Sequence, residues 1–220
     1  ARKKRQITEV ERMIALWEVS QETGKPEEAS KACKQETASM LIDLATASTR
    51  EAIGTDTQPG TNDRGTMVMA THLYRLVLQK FPDMETMEFP SIDKRDWPTE
   101  YKVSYYHAEL LWKMEDWNKC GPAFDKVVEL NPRGEYTSDA AYAAVLCYNK
   151  SYQLTYQEDE TKTRVDRGKK RRGKKKRRGK KKSKEEEEAE LVARYQARVF
   201  SNLESGMLTA FQRYVCFVPD

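Results

Sequence analysis

The chain has 220 residues with a formal net charge of +4, and 38% of its residues are hydrophobic while 34% are charged. A chain of this length can bury the core of one domain, and its many charges suit thin layers of helices with wide solvated faces. No apolar run approaches the roughly 20 residues that a membrane-spanning helix needs, which argues against a helical membrane protein. Strand-like alternation is scarce, so we predict an all-α fold.

The N-terminal part predicts a helix that docks on the rest of the chain. Met13, Ile14 and Trp17 share one face of a helix expected near 5–22. The chain opens on basic residues and no apolar segment follows, so no intact signal peptide is visible. It also begins without Met, and an upstream leader could have been removed.

Two helices are expected next, one at 27–53 and one that ends before Pro82. The first is rich in Ala, Leu and Ile. In the second, Ala70, Tyr74 and Val77 follow helical spacing, and the proline blocks continuation of the helix. Together they would form a first pair of packed helices.

The segment from Tyr105 to Pro132 gives the clearest pattern, two short antiparallel helices joined by a turn. Its first helix is indicated by residues at helical spacing: Tyr105, Ala108, Leu111 and Trp112. Its second helix carries another apolar stripe: Trp117, Cys120, Phe124, Val127, Val128 and Leu130. We expect the carboxylate of Asp116 to cap the second helix. Neither helix can bury its stripe alone, so neighbouring units must stack on it.

A third pair is predicted from 136–156 and from the end of the chain. The first of these helices carries small and apolar residues at helical spacing: Ala140, Ala141, Ala144, Val145 and Tyr148. The second repeats the spacing of the earlier second helices: Met207, Phe211, Tyr214 and Pro219.

Between these two helices lies a basic segment, 161–184, that we expect to be a disordered loop. Its core at 168–184 holds 13 cations, without which the formal net charge would be −9 rather than +4. Such a block repels itself and cannot bury apolar surface. The cations are Lys169, Lys170, Arg171, Arg172, Lys174, Lys175, Lys176, Arg177, Arg178, Lys180, Lys181, Lys182 and Lys184.

Three interpretations of the basic segment stay open. It could be a solvated insert without a ligand. It could anchor the chain to an anionic surface such as lipid headgroups, an acidic protein or a cell-wall polymer, since each Lys or Arg near an anionic membrane contributes about 1 kcal/mol. It could also bind nucleic-acid phosphates, although it has no aromatic residues on which bases would stack.

The middle helix pair resembles the tetratricopeptide repeat. The small residues Ala108 and Cys120, the aromatic Phe124 and the terminal Pro132 match the spacing of that family, whereas Cys120 and Val127 stand where alanine is usual. The resemblance implies a right-handed α-α superhelix of about three degenerate helix pairs, preceded by the N-terminal helix. Since such repeats mostly bind proteins, it also implies a non-catalytic scaffold that holds a peptide segment or helix of another protein.

The resemblance also implies the domain boundaries and a compartment. One helical domain is expected at 1–160 and 185–220, as part of a longer array, because no polar terminal cap is visible. Four segments look like cell-envelope and gliding-motility scaffold proteins of delta-proteobacteria: FPD at 81–83, YYHAELLW at 105–112, DAAYAAVL at 139–146 and the terminal AFQRYVCFVPD. This favours a periplasmic or outer-membrane-associated location, and a cytoplasmic one stays open. The alternative function is electrostatic tethering to nucleic acid or anionic membrane through the basic segment.

In repeats of this family the first helices line a concave groove, so the resemblance implies a partner-binding surface. In the middle pair this surface comprises Lys102, Tyr105, Glu109, Trp112 and Lys113, and in the third pair Tyr148, Asn149 and Tyr152. Tyr and Trp are frequent binding anchors because they combine apolar area with a polar tip. Helix stripes are usually core, however, so Tyr105 and Trp112 could instead pack between repeats.

The sequence predicts neither a catalytic site nor a cofactor. His72 and His107 both fall inside predicted helices, where a histidine on a helix face is the ordinary interpretation. No HExxH, GxSxG or phosphate-binding glycine loop occurs. We therefore expect no small-molecule substrate.

The four cysteines predict no metal site. Cys33, Cys120, Cys147 and Cys216 are far apart and form no CxxC pair, which argues against zinc. We expect each to act as a small apolar residue on a helix stripe. A disulfide from Cys147 to either Cys120 or Cys216 stays open for an oxidising compartment.

Overall fold

Helices make up nearly all of the described structure. The computed structural model describes residues 2–22, 27–55, 57–89, 92–173 and 199–217. The α-helices in these ranges are α1 (Arg2–Glu22), α2 (Glu27–Ile53), α3 (Arg64–Lys80), α4 (Glu100–Lys113), α5 (Trp117–Leu130), α6 (Thr137–Gly173) and α7 (Asn202–Phe217), and two short 3-10 helices lie at Met84–Thr86 and Lys94–Asp96. A two-residue antiparallel pair, β1 (Gly54–Thr55) with β2 (Gln58–Pro59), joins α2 to α3. The prediction of an all-α fold is confirmed.

The helices pack in the order in which they occur along the chain. α2 packs on α3, and each later helix packs on the one before it as far as α7. Contacts also join α2 with α4 and α5 with α7, and α1 lies against α2 and α3. Each helix therefore contacts its near neighbours in sequence, and α4 occupies the middle of the row.

Two hydrophobic cores lie on either side of α4. The first joins α1, α2, α3 and one face of α4, with Leu73, Tyr74, Val77, Phe81 and Leu110 among its fully buried side chains. The second joins the other face of α4 to α5, α6 and α7, and includes Ala108, Leu111, Phe124, Ala144 and Ala210. Both cores form because apolar residues recur at helical spacing, so that one stripe of each helix faces inward.

The N-terminal helix docks through the residues predicted from the sequence. Ile14 is buried, while Met13 and Trp17 are half-buried. The Trp17 ring packs on Phe81, with 5.0 Å between ring centroids. α1 therefore covers the end of α3 with an aromatic contact.

Helix starts follow local capping chemistry at two positions and depart from it at a third. Asp63 accepts a hydrogen bond from the Thr66 backbone N–H at 2.9 Å at the start of α3, which satisfies one of the free donors there. Thr99 caps α4 in the same way. The predicted side-chain cap from Asp116 is wrong. Glu115 has a positive φ of 58°, and the backbone of Asp116 is not in the extended geometry that N-cap residues prefer. The Asp116 carboxylate instead accepts a hydrogen bond from the Lys119 ammonium at 2.6 Å.

One helix extends far beyond its predicted end. α2 has the predicted bounds, whereas α6 continues from the expected 156 to Gly173 and enters the segment predicted to be a disordered loop. The sequence after 156 is rich in Glu, Lys and Arg, which have high intrinsic helix propensity. The remaining part of the basic segment, 174–184, lies outside the described residues.

Candidate functional site

Four of the predicted partner-binding residues come together around one cleft. Tyr105, Glu109, Trp112 and Lys113 of α4 face it, and α5 and α6 complete it with Phe124, Asp139 and Ala143. Its volume is about 210 Å³. The i, i+4 spacing from Tyr105 to Glu109 to Lys113 places their side chains on one stripe of the helix.

A second cleft adjoins the first along α4. Its volume is about 370 Å³, and it lies between α2, α3 and α4. Glu109 and Lys113 line both clefts, so we treat the two as one surface, the α4 groove. The second cleft adds Thr46, Thr49, Arg50, Ile53, Gly54, Tyr74, Tyr106 and Leu110.

Stacked aromatic rings form the wall of the α4 groove. Tyr105 stacks on Tyr136 with 4.3 Å between centroids and 9° between ring planes. Its edge meets Phe124 at 6.2 Å. Trp112 packs edge-on against Trp117 at 5.2 Å. Tyr105 and Trp112 therefore pack between helices and also border the groove, and their role as binding anchors stays a prediction.

Burial keeps two tyrosines that line the groove, Tyr74 and Tyr105, protonated. Desolvation, reinforced by the neighbouring Glu109 carboxylate, raises the pKa of Tyr105 well above its usual range. Burial raises the pKa of Tyr74 as well, although hydrogen bonds from Thr46 and Thr49 oppose that shift. Their hydroxyl groups thus stay neutral at physiological pH and can both donate and accept hydrogen bonds.

The charged groups of the groove have mixed sign. Desolvation raises the pKa of Glu109, while the Tyr105 hydroxyl, which donates to its carboxylate at 3.2 Å, and nearby Lys113 oppose that rise. Arg50 and Lys113 supply the positive charges, and Glu109 and Asp139 supply the negative ones. Such a surface can form ion pairs with groups of either sign.

The other predicted groove residues lie elsewhere. Lys102 lines a separate cleft of about 500 Å³, with Glu85 and Arg133, and its ammonium donates to the Arg95 carbonyl. Asn149 is exposed and Tyr152 is half-buried, and neither lines the α4 groove. Sequence spacing places these residues on helices but cannot say which neighbouring helix completes a cleft.

Tyr148 belongs to the core rather than to the groove. It is 8% exposed, and its hydroxyl donates to the Asp125 carboxylate at 2.9 Å. A Cβ added at Gly121 of α5 would lie 3.0 Å from the Tyr148 ring, and one added at Gly206 of α7 would lie 2.7 Å from it. Tyr148 therefore fills a space that only two glycines leave open.

This packing predicts a large difference between two glycine substitutions. Gly206→Ala should lower the free energy of unfolding by about 1–3 kcal/mol, because its methyl group would overlap the Tyr148 ring. At Gly65 of α3, an added Cβ would have no neighbouring atom closer than 3.4 Å. Gly65→Ala should therefore be neutral or stabilising by about 0.5–1 kcal/mol. Urea unfolding of both variants checks this, and equal midpoints for the two would contradict the packing argument.

The groove residues that sequence reasoning missed come from each of the five helices α2 to α6. Arg50, Tyr74 and Tyr106 join it only because α2 and α3 pack beside α4. The bounds of α2 were predicted correctly, and a polar stripe on it follows i, i+3, i+4 spacing at Thr46, Thr49 and Arg50. This stripe could have indicated that α2 contributes to the groove.

The cysteines divide into a bonded pair and two exposed thiols. Cys120 and Cys147 form a disulfide between α5 and α6, with 5.9 Å between their Cα atoms. The expectation that all four serve as apolar stripe residues is therefore wrong, because Cys33 and Cys216 are exposed and the other two are bonded. Of the two disulfides that the sequence left open, the structure has the one between Cys147 and Cys120. The bridge forms because α5 and α6 pack face to face at this level.

Three further predictions concern metal ligands, membrane-spanning helices and the basic segment. Within the described ranges no three His, Cys, Asp or Glu residues are grouped as metal ligands would be. No helix in the described part of the chain has the length and apolar character to cross a bilayer. Of the basic segment, Lys169–Arg172 lie within the backbone of α6, and the cations from Lys174 to Lys184 lie outside the described residues.

Comparison with known proteins identifies no relative on which to base a family assignment. No protein-family model, no curated protein and no solved structure matches the chain. Its function has to be argued from its own residues.

Proposed function

We propose that the chain is a non-catalytic scaffold that binds a segment of another protein in the α4 groove. The observation that carries the proposal is the continuity of this groove, since Glu109 and Lys113 line both of its clefts. The groove reaches α2 on one side and α6 on the other, a span suited to an extended peptide or one helix.

The proposed architecture is a tetratricopeptide-like superhelix of three helix pairs, α2 with α3, α4 with α5 and α6 with α7. In such an array the first helix of each pair lines one shared surface. The contributions of α2, α4 and α6 to the α4 groove support that arrangement. The packing of each helix on the next supports it as well.

The chemistry of the groove favours a peptide over a small polar metabolite. The neutral Tyr105 hydroxyl offers a hydrogen bond to peptide groups, and the aromatic rings that border the groove offer apolar contact. Arg50 and Lys113 would attract acidic side chains of the partner, while Glu109 would attract a basic one. Aromatic anchors of this kind often carry much of the affinity at protein interfaces.

The proposed location is the cell envelope. A buried disulfide between Cys120 and Cys147 supports an oxidising compartment such as the periplasm, because thiols are kept reduced in the cytosol. The resemblance of the helix pairs to envelope scaffolds led to the same expectation.

Charge reversal in the groove tests the proposed function. Arg50→Glu combined with Lys113→Glu reverses two exposed positive charges. Arg50 lines the larger cleft, and Lys113 lines both clefts. We expect affinity capture from lysate of the source organism, at physiological salt, to return a protein with the native chain and lose it with the double variant. Lys150→Glu, an exposed charge outside the groove, is the matched control and should retain it.

The opposite outcome would contradict the groove as the binding surface. If the double variant and Lys150→Glu return the same protein in the same amount, the partner binds elsewhere. Circular dichroism of each variant should be unchanged, because all three positions are exposed.

A second candidate function is electrostatic tethering through the basic segment, favoured by its 13 cations within 168–184. Deletion of this segment in the same capture experiment separates the two functions. Loss of all binding on deletion, with steep weakening by salt, would favour tethering. Retention of the same protein partner would favour the groove.

A further inference from the structure

A third cleft lies on the side of α4 that faces away from the α4 groove. Its volume is about 370 Å³, and it opens between α3, α4 and α5; we call it the α3–α5 cleft. Its apolar lining consists of Val68, Leu111, Met114 and Ala123, and its polar lining of Thr71, His72, Arg75, His107, Asp116 and Lys119. It combines an apolar floor with a charged rim, as small-molecule sites commonly do.

The α3–α5 cleft is separate from the proposed partner-binding surface. His107 and Leu111 lie four residues apart and share one stripe of α4, while Glu109 and Lys113 share the opposite stripe. Among the residues that the structure describes, none lines both the α3–α5 cleft and the α4 groove. The two surfaces can therefore be altered independently.

The rim of the cleft carries an excess of positive charge. Lys119 donates to the Asp116 carboxylate at 2.6 Å, so this pair is neutral overall. Arg75 uses one N–H to donate to His72 Nδ1 at 2.9 Å, and the guanidinium has further N–H donors. On the α1 side, Glu11 Oε1 lies 3.5 Å from His72 Nε2. The Arg75 guanidinium thus brings a positive charge to the rim, and no carboxylate among the described lining residues neutralises it.

His107 experiences this positive charge directly. Burial, together with the charges of Arg75 and Lys119, lowers its pKa to about 4. The imidazole is therefore neutral at physiological pH. An anion placed between these groups would reverse the local field and favour the protonated ring.

We propose that the α3–α5 cleft binds a small organic anion, a carboxylate on a short apolar body. The carboxylate would pair with the Arg75 guanidinium, which suits planar bidentate recognition. The apolar body would lie on Leu111, Met114 and Ala123. A single carboxylate matches the one cation in excess, and a more highly charged phosphate would find too few donors and an apolar floor.

Hexanoate and hexanol together test this proposal. They share the same apolar tail and differ in charge, so the comparison isolates the rim cations. We expect hexanoate to bind saturably to the full chain and to raise the pKa of His107 by about 1 unit or more, followed by NMR of the histidine ring signals. Hexanol should bind at least about tenfold more weakly, since it lacks a charge-assisted bond.

Two variants complete the test. Arg75→Gln, at an exposed position of α3, should weaken hexanoate binding about tenfold. Arg64→Gln, an exposed residue of the same helix outside the cleft, should leave binding unchanged. The proposal fails if hexanoate does not bind, if hexanol binds equally well, if the pKa of His107 does not move at saturation, or if both variants bind alike.

Discussion

Replacing Arg213 by Ala should lower the free energy of unfolding by about 3 kcal/mol near neutral pH, because it leaves a buried carboxylate without its cation. Arg213 Nη1 of α7 lies 2.8 Å from Asp125 Oδ1 of α5, and the side chains of both residues are largely buried. The same guanidinium also bonds to Glu129. Through the Tyr148 hydroxyl, this network ties α5, α6 and α7 together.

The pH dependence of that loss identifies its cause. Burial raises the pKa of Asp125, while the hydrogen bonds from Tyr148 and Arg213 oppose the rise. A carboxyl with a raised pKa binds its proton more tightly in the folded state, so its contribution to stability falls as pH rises through that pKa. Without Arg213 the pKa rises further, and the cost of the variant should be smaller at about pH 4 than at about pH 8.

A double variant serves as the control for the buried charge. Asp125→Asn keeps a side-chain oxygen for the Tyr148 hydroxyl and removes the charge. Combined with Arg213→Ala it should recover part of the lost stability. Urea unfolding of the native chain, the single variants and the double variant gives the coupling between the two positions. Additive losses that do not vary with pH would show that Arg213 acts through packing alone.

Reducing the bond between Cys120 and Cys147 should lower the free energy of unfolding by about 3–4 kcal/mol. The bond closes a loop of 27 residues, and constraint of the unfolded chain accounts for a value of this size. Both sulfur-bearing residues are fully buried, so the reductant has to reach them through an opening of the helices. We expect reduction to be slow under native conditions and fast in denaturant.

Alanine substitution separates the bond from the packing of the sulfur atoms. Cys120→Ala combined with Cys147→Ala should be less stable than the oxidised chain, and its unfolding midpoint should not respond to a reductant. The oxidised native chain should lose stability when a reductant is present. If the native chain also shows no response, and its thiol count is four, the bond does not form in solution.

The sequence predicted the helices correctly where the spacing of apolar residues and the residues that begin or end helices determine them. The bounds of α2 and the paired helices around Asp116 follow from stripes that have to be buried. It did not predict where α6 ends. The helix-forming tendency of Lys, Arg and Glu extends that helix into a segment whose net charge suggested a loop. These two effects oppose each other, and composition alone does not show which one dominates.

The candidate site was predictable only on one helix. Spacing along α4 identifies Tyr105, Glu109 and Lys113 as one stripe, and the structure places them along the groove. The contributions of Arg50 and Tyr106 depend on how α2 packs beside α4. Tyr148 was misplaced because its environment is set by Gly121 and Gly206 on two other helices. No periodicity within α6 carries that information.

Helix α4 couples the two ends of the molecule through adjacent residues. Leu110 packs into the first core and Leu111 into the second, so neither core keeps its shape if α4 frays. The two halves should therefore melt as a single cooperative unit rather than as independent modules. Deletions that remove α4 would leave two exposed apolar surfaces, which makes this helix the poorest place at which to divide the chain for expression.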